Sequence, residues 1–204
     1  MHSPSPPSPP SPPSPPSPPS PPQLPQPLLS ASPRPRVTAS SSPIPMILNL
    51  QSSHLEIMRA HAERTYPHEC CGLLLGRTVD EVKELVEVWA TENAWHEDAP
   101  ETREFDRDIE RTLSSERRYT IAPEEMLAAQ RHARDLHLDI IGIYHSHPNC
   151  PAIPSECDRV LAWSQYSYII VAVEGGKAVN VRSWQLDDTE QFQPEEIRLG
   201  DRVM

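Results

Sequence analysis

The sequence predicts an α/β domain in which a central mixed β-sheet is flanked by helices. Apolar runs of strand length occur between residues 70 and 186, and segments with helical spacing of apolar residues lie between them. A further observation separates a tail, since 19 of the 26 prolines fall within residues 1–45. We therefore expect a disordered Pro/Ser-rich tail at 1–45 and one domain at 46–204, which is long enough for a single core.

The tail is a low-complexity segment. Residues 4–22 repeat Ser-Pro-Pro almost without interruption, and such a repeat favours an extended polyproline II conformation with no side chains to bury. We interpret it as a spacer, or as untranslated sequence if synthesis begins at Met46. The alternative is an interaction segment that binds aromatic-lined grooves.

Three helices are predicted in the domain. The segment SSHLEIMRAHAERTY is capped by Ser52 or Ser53 and followed by Pro67, and its buried face is formed by Leu55, Met58 and Ala62. The segment APEEMLAAQRHARDL opens with a proline and two glutamates, which are typical of a first helical turn. A third helix is predicted from Ser155 to about residue 165.

The predicted strands alternate with these helices. CCGLLLG is a continuous apolar run, VKELVEVWA alternates, and LDIIGIYHS is predicted to be buried. YSYIIVAVEGG and KAVNVRSWQL indicate a hairpin that turns at Gly175 and Gly176. Residues 91–118 have no clear period and are predicted to form a long loop, and the C-terminal segment is polar.

Charge and hydropathy exclude several classes of function. The net charge is −11, and the tail contributes Arg34 and Arg36 but no acid, so the domain is strongly acidic. Nucleic-acid binding needs a basic surface, and we expect none. No apolar run approaches the roughly 20 residues of a membrane-spanning helix, and the N-terminus lacks the apolar core of a signal peptide. The sequence therefore predicts a cytoplasmic protein that does not bind membranes.

The segment GIYHSHPNCPAIPSECDRV carries a metal-binding pattern. Residues i and i+2 of a strand share a face, so His145 and His147 can present two imidazoles to one ion. Ser155 and Asp158 follow, one helical turn apart. Two histidines and a carboxylate leave one tetrahedral position open, which is typical of a catalytic zinc site. The alternative is structural, because Ser-x-x-Asp also resembles a capping box.

The cysteines do not match a structural zinc site or a disulfide framework. Cys70 and Cys71 are adjacent, and Cys150 and Cys157 lack CxxC spacing. We expect buried or loop thiols. Cys150 lies within the metal-binding pattern, and its binding to the metal in an inactive state is left open.

The ordered set HxHPx6SxxD, with Glu69 upstream in YPHECCGLLLG, resembles the JAMM or MPN-domain family of zinc metalloproteases. PHECCGLLLG, RRYTIAPEEMLAAQRHAR, IIGIYHSHP and PSECDRVLAW resemble bacterial single-domain members, and the resemblance covers roughly residues 50–185. It implies an MPN/JAMM-like core, similar to that of cytidine deaminases. It also implies Zn²⁺ as the cofactor, with His145, His147 and Asp158 as its ligands.

The resemblance further implies a metallopeptidase. Glu69 would be the general base for a zinc-activated water, and Ser155 would donate a hydrogen bond to the oxyanion. The substrate would be a ubiquitin-like or sulfur-carrier protein, and the bond cut would be an amide after its C-terminal Gly-Gly. Such a tail can pair through its backbone as an added strand does.

Two other classes of function are alternatives to the peptidase. MPN-domain proteins without the motif serve as non-catalytic scaffolds or interaction modules, which the full ligand set here disfavours. A zinc deaminase requires a PCxxC pair, which this sequence lacks. Metal content separates the scaffold from both enzymes. The oligomeric state is left open.

Overall fold

The computed structural model describes residues 47–95 and 118–200. The Pro-rich tail, Met46 and most of the predicted loop at 91–118 lie outside these residues. The helices are α1 (Ser52–Thr65), α2 (Pro123–Asp135) and α3 (Glu156–Leu161). The strands are β1 (Ile47–Leu50), β2 (Cys71–Val79), β3 (Val82–Thr91), β4 (Asp139–Pro148), β5 (Ser167–Glu174), β6 (Lys177–Leu186) and β7 (Phe192–Leu199).

The strands form one mixed sheet that closes on itself. Their order is β1-β3-β2-β4-β5-β6-β7, and β7 pairs with β1 in parallel. The mixed α/β class is confirmed, but the closure was not predicted. Sequence analysis assigned neither closing strand, because β1 is only four residues long and β7 is mostly polar. None of the helices in the described ranges is long and apolar enough to span a membrane.

Helix α1 packs against the sheet through the predicted face. Met58 and Ala62 are fully buried, and Leu55 packs against the same core cluster. His54 and His61 are also buried, which the apolar periodicity did not indicate. His61 is accommodated because its Nδ1 lies 2.8 Å from the hydroxyl of Tyr144 on β4.

The helix ends differ from the predicted ones at two places. Gln51, not Ser52 or Ser53, is the N-cap of α1, and its backbone N–H donates to His54 Nδ1 at 3.2 Å. Helix α3 ends at Leu161, about one turn earlier than expected, because Ala162 adopts an extended conformation with φ −80° and ψ 148°.

Two glycine positions explain local features of the sheet. A Cβ on Gly72 would lie 2.4 Å from the carbonyl oxygen of Trp89 and 2.4 Å from the ring of Tyr144, so only glycine allows this approach of β2 to its neighbours. Gly175 has a φ of +54°, which confirms the turn predicted between β5 and β6.

A buried charged pair lies away from the metal-binding pattern. The Lys83 ammonium donates to the Ser167 hydroxyl at 2.9 Å, and Ser167 and Ser183 donate to the Glu195 carboxylate at 2.9 and 2.5 Å. Burial lowers the pKa of Lys83 and raises the pKa of Glu195. Their hydrogen bonds compensate for the loss of water around both groups.

Candidate metal centre

Strand β4 and helix α3 bring the three predicted ligands together. The alternation along β4 places His145 and His147 on one face, and their Nε2 atoms lie 3.0 Å apart. Asp158 belongs to the first turn of α3, and its Oδ1 lies 3.3 Å from Nε2 of His145. Its Oδ2 lies 3.8 Å from Nε2 of His147. All the ligand atoms of this cluster lie within 4.8 Å of one another.

The donor atoms of the cluster fit a zinc ion. Nδ1 of His147 lies 2.9 Å from the carbonyl oxygen of Pro151. Because a carbonyl can only accept, Nδ1 carries the proton, and Nε2 is left with a lone pair directed at the cluster. Two imidazole nitrogens and one carboxylate oxygen are ligands that zinc takes in proteins, and the set leaves a coordination position open.

The electrostatics favour the protonation states that a metal site requires. Burial lowers the pKa of His145 to about 4, against the opposing attraction of Asp158, so the imidazole is neutral at pH 7. Burial opposes ionisation of Asp158, but attraction to His145 and hydrogen bonds from Ser155 hold its pKa below the usual range. A neutral imidazole and an ionised carboxylate are the ligating forms.

Ser155 orients the carboxylate of Asp158. Its backbone N–H and its hydroxyl both donate to Oδ2 at 2.6 Å, and the Asp158 N–H donates back to the Ser155 hydroxyl at 3.2 Å. The capping box that the sequence indicated is therefore present. It is compatible with a metal site, because it fixes Asp158 with Oδ1 directed at His145.

Glu69 lies near the cluster without belonging to it. The side chain is buried, two residues before Cys71, which pairs with His145 across β2 and β4. Tyr119 contacts His145. Burial is the main cause that raises the pKa of Tyr119, and the charges of Asp158 and Glu69 raise it further. The Glu69 charge therefore acts on Tyr119, and Glu69 is not one of the three clustered ligands.

Tyr119 is a site residue that sequence analysis missed. Its ring stacks on the His145 imidazole, with centroids 4.5 Å apart and planes at 22°. The residue lies in RRYTIAPEEM, where neither periodicity nor spacing indicated contact with the metal-binding pattern. Only the tertiary structure brings this segment to β4.

The four cysteines form no disulfide with one another. Burial raises the pKa of Cys70 to about 12 and that of Cys71 to about 11, so neither is a thiolate at pH 7. Cys150 and Cys157 are half-buried, and neither belongs to the cluster of His145, His147 and Asp158.

Comparisons with known proteins indicate the family of the chain. A family model described as prokaryotic homologues of the JAB domain matches residues 51–187. A desampylase of Pyrococcus furiosus is 44% identical over 52 residues, which are 26% of this chain and 37% of that protein. A desampylase of Haloferax volcanii is 29% identical over 158 residues, which are 75% of this chain and 96% of that protein.

Two solved structures of bacterial proteins are also similar to this chain. The solution structure of a protein from Desulfitobacterium hafniense matches with a TM-score of 0.60 and 29% identity, covering 78% of this chain and 95% of that one. A protein from Salinibacter ruber matches with a TM-score of 0.54 and 30% identity, covering 76% and 92%. Because the family model spans well over half of the sequence, the chain belongs to the prokaryotic JAB-domain family, the single-domain type of JAMM/MPN protein that its motifs resemble.

Proposed function

We propose that this chain is a zinc-dependent peptidase or isopeptidase. The substrate is a ubiquitin-like or sulfur-carrier protein, and the bond cut is an amide after its C-terminal Gly-Gly. The observation that carries the proposal is the convergence of His145, His147 and Asp158 beside the buried Glu69. A hydrolase of this type needs three ligands, an open coordination position and a base that is not itself a ligand.

The residues of the chain divide the chemistry between them. His145, His147 and Asp158 would hold Zn²⁺, which when bound supplies Lewis acidity towards the scissile carbonyl and makes water a stronger acid. Glu69 takes a proton from the attacking water and delivers it to the leaving amine as the carbon–nitrogen bond breaks. One water is consumed, and the products are a carboxylate and an amine.

Ser155 is proposed to stabilise the negative charge that develops on the carbonyl oxygen. In the structure its hydroxyl donates to Asp158 at 2.6 Å, so this role requires the hydroxyl to change partner during the reaction. The backbone N–H of Ser155 donates to the same carboxylate oxygen and would keep Asp158 oriented meanwhile.

We propose that an extended substrate tail binds beside β4. The pairing of β2 with β4 ends at Cys71 opposite His145, whereas β5 accompanies β4 as far as Pro148. The backbone of β4 near His147 therefore lacks a β2 neighbour, although Ser146 N–H still donates to the Cys70 carbonyl. A Gly-Gly tail, which has no side chains, could lie along this stretch and pair with it as an added strand.

The similarity to desampylases favours a ubiquitin-like conjugate as the substrate. Sulfur-carrier adducts are the other members of the proposed class, because they offer the same kind of extended glycine tail. We further propose that residues 46–204 form the metalloprotease domain and that the tail at 1–45 has no part in the chemistry. The cytoplasm is the proposed site of action.

The decisive experiment is cleavage of defined adducts. The zinc-loaded full chain is incubated with ubiquitin-like and sulfur-carrier proteins that carry either an isopeptide-linked partner or added C-terminal residues, and product masses identify the bond cut. We expect products that end in Gly-Gly, abolished by a chelator and restored by zinc. A chain that binds zinc but cuts none of these adducts would contradict the proposed substrate class. A chain that binds no zinc would favour the scaffold.

A further inference from the structure

The two histidines of the cluster are held in different ways. The His147 ring is oriented by the hydrogen bond from its Nδ1 to Pro151. Nδ1 of His145 is buried and has no hydrogen-bond partner among the residues that the structure describes. Metal-ligating histidines almost always donate their second ring N–H to a carboxylate, carbonyl or water, which fixes the plane of the ring. Among the described residues, His145 is therefore oriented by a different kind of contact.

Tyr119 provides that contact. Its ring lies almost parallel to the imidazole, with a centroid separation of 4.5 Å and an angle of 22°. Offset stacking is a favourable arrangement for aromatic rings, and it opposes rotation of the imidazole out of the stacked plane. It leaves the in-plane Nε2 free to face His147 and Asp158.

The segment around Tyr119 is itself anchored by one side chain, Asn93. The Asn93 carboxamide makes four hydrogen bonds: Nδ2 donates to the carbonyl oxygens of Glu69 at 3.1 Å and Arg118 at 2.9 Å, and Oδ1 accepts from the backbone N–H groups of Trp95 at 3.0 Å and Thr120 at 3.0 Å. Both neighbours of Tyr119 in the chain are thus bonded to the same carboxamide. That carboxamide also holds the backbone of Glu69.

We propose that Tyr119 is a positioning residue for the metal centre. Its ring, anchored through Asn93, fixes the plane of the His145 imidazole and takes the place of the hydrogen bond that His147 donates to Pro151. The inference rests on the proposed function in one respect, since it requires that His145 ligates zinc. The ring is the active part of Tyr119, and the hydroxyl is not needed.

Zinc affinity tests this role directly, without a substrate. The full chain is titrated against a chromophoric zinc chelator, and the absorption spectrum of the cobalt-substituted protein reports the geometry of the site. Tyr119→Phe keeps the ring and should bind zinc as the parent chain does. Tyr119→Leu removes the ring and should weaken zinc binding about 10–100-fold, the usual cost of losing a contact that orients a ligand. Its cobalt spectrum should also change.

Two further variants separate orientation of His145 from a general loss of structure. Tyr166→Leu removes another half-buried ring, one that packs against Trp163 with centroids 5.5 Å apart, and it should leave zinc affinity unchanged. Asn93→Asp removes the two donated hydrogen bonds while keeping the shape of the side chain, and it should weaken zinc binding in the same direction as Tyr119→Leu. If Asn93 acts on the metal through Tyr119, the double variant should bind zinc no more weakly than Tyr119→Leu alone.

The outcomes distinguish the inference from the proposed function. If the parent chain binds zinc and Tyr119→Leu binds it equally well, only the positioning role is wrong. The same conclusion follows if Tyr119→Phe loses as much affinity as Tyr119→Leu, because the hydroxyl would then be the active part. A parent chain that binds no zinc would overturn both proposals. Melting temperatures of the zinc-free variants, compared with Tyr166→Leu, show whether lost affinity reflects unfolding.

Discussion

Nε2 of His145 lies 3.0 Å from Nε2 of His147, and the two atoms face each other inside a buried site. The Pro151 carbonyl fixes the proton of His147 on Nδ1, so Nε2 of His147 can only accept. The contact therefore persists without a metal only if His145 carries its proton on Nε2. Binding of a cation at Nε2 of His145 would require that proton to move to Nδ1, because a neutral imidazole keeps one proton. Protonation of an imidazole competes with the metal for its lone pair, so metal affinity should fall at low pH.

The first prediction concerns the metal ligands. His145→Ala or Asp158→Ala should lose bound zinc, since two remaining donors cannot complete the site. The measurement is zinc content after dialysis against a metal buffer, with about one zinc ion per chain expected for the parent. His68→Ala changes an exposed histidine outside the cluster and serves as the control. Full zinc retention in both ligand variants would refute the site.

The second prediction concerns the proposed base. Glu69→Gln keeps the shape of the side chain and removes only its ability to take a proton. A positioned general base contributes about 10²–10⁴-fold to a rate, so turnover should fall at least about a hundredfold while zinc and substrate still bind. Glu196→Gln, in an exposed pair with Arg198, is the matched control. Release of zinc by Glu69→Gln would instead identify Glu69 as a ligand.

The third prediction concerns the buried charged pair. Lys83→Met leaves the Glu195 carboxylate buried without its cation, and breaking such a pair typically lowers the free energy of unfolding by about 3–5 kcal/mol. Lys177→Met removes the cation of an exposed pair with Glu63, which water screens, so its effect should be much smaller. Denaturant unfolding of both variants measures the difference. Equal effects would show that the buried pair does not contribute more than the exposed one.

The fourth prediction concerns pH. Burial lowers the pKa of His54, His61 and His145 below the ordinary value of 6.5, the last to about 4. Below pH 6.5 the unfolded chain therefore binds protons that the folded chain does not. The free energy of unfolding of the zinc-free protein should fall as the pH drops below about 6.5, and the decrease due to His145 should continue down to about pH 4.

Denaturant unfolding at a series of pH values checks this expectation. His61→Gln removes one of the three groups and should reduce the slope. A free energy of unfolding that rises or stays constant over this range would contradict the assigned direction.

The fifth prediction concerns the Pro-rich tail. A chain that begins at Met46 should keep the melting temperature and turnover of the full chain, because an extended polyproline segment is expected to contribute no buried surface to the domain. Thermal denaturation and the cleavage assay measure the two quantities. A melting temperature several degrees lower would show that the tail contacts the domain.

Local patterns in the sequence predicted most of the elements and the ligand cluster. Alternation along β4 was sufficient to place His145 and His147 on one face, and helical spacing placed Ser155 beside Asp158. The closure of the sheet depends on pairing between β1 and β7, which are distant in sequence, and short or polar strands carry little periodicity. Tyr119 was missed for a related reason, because a stacked ring leaves no spacing pattern in the chain.

The short strand β1 also determines how the sheet is protected from self-association. It lies between β3 and β7 and pairs with both, so its four residues cover the backbone edges of two longer strands. A chain that lacked residues 47–50 would expose both edges at once. An exposed strand edge can form backbone hydrogen bonds with strands of other molecules, which leads to aggregation. The domain should thus tolerate a truncation that ends before Met46. A longer truncation that also removes residues 47–50 should make it prone to aggregation.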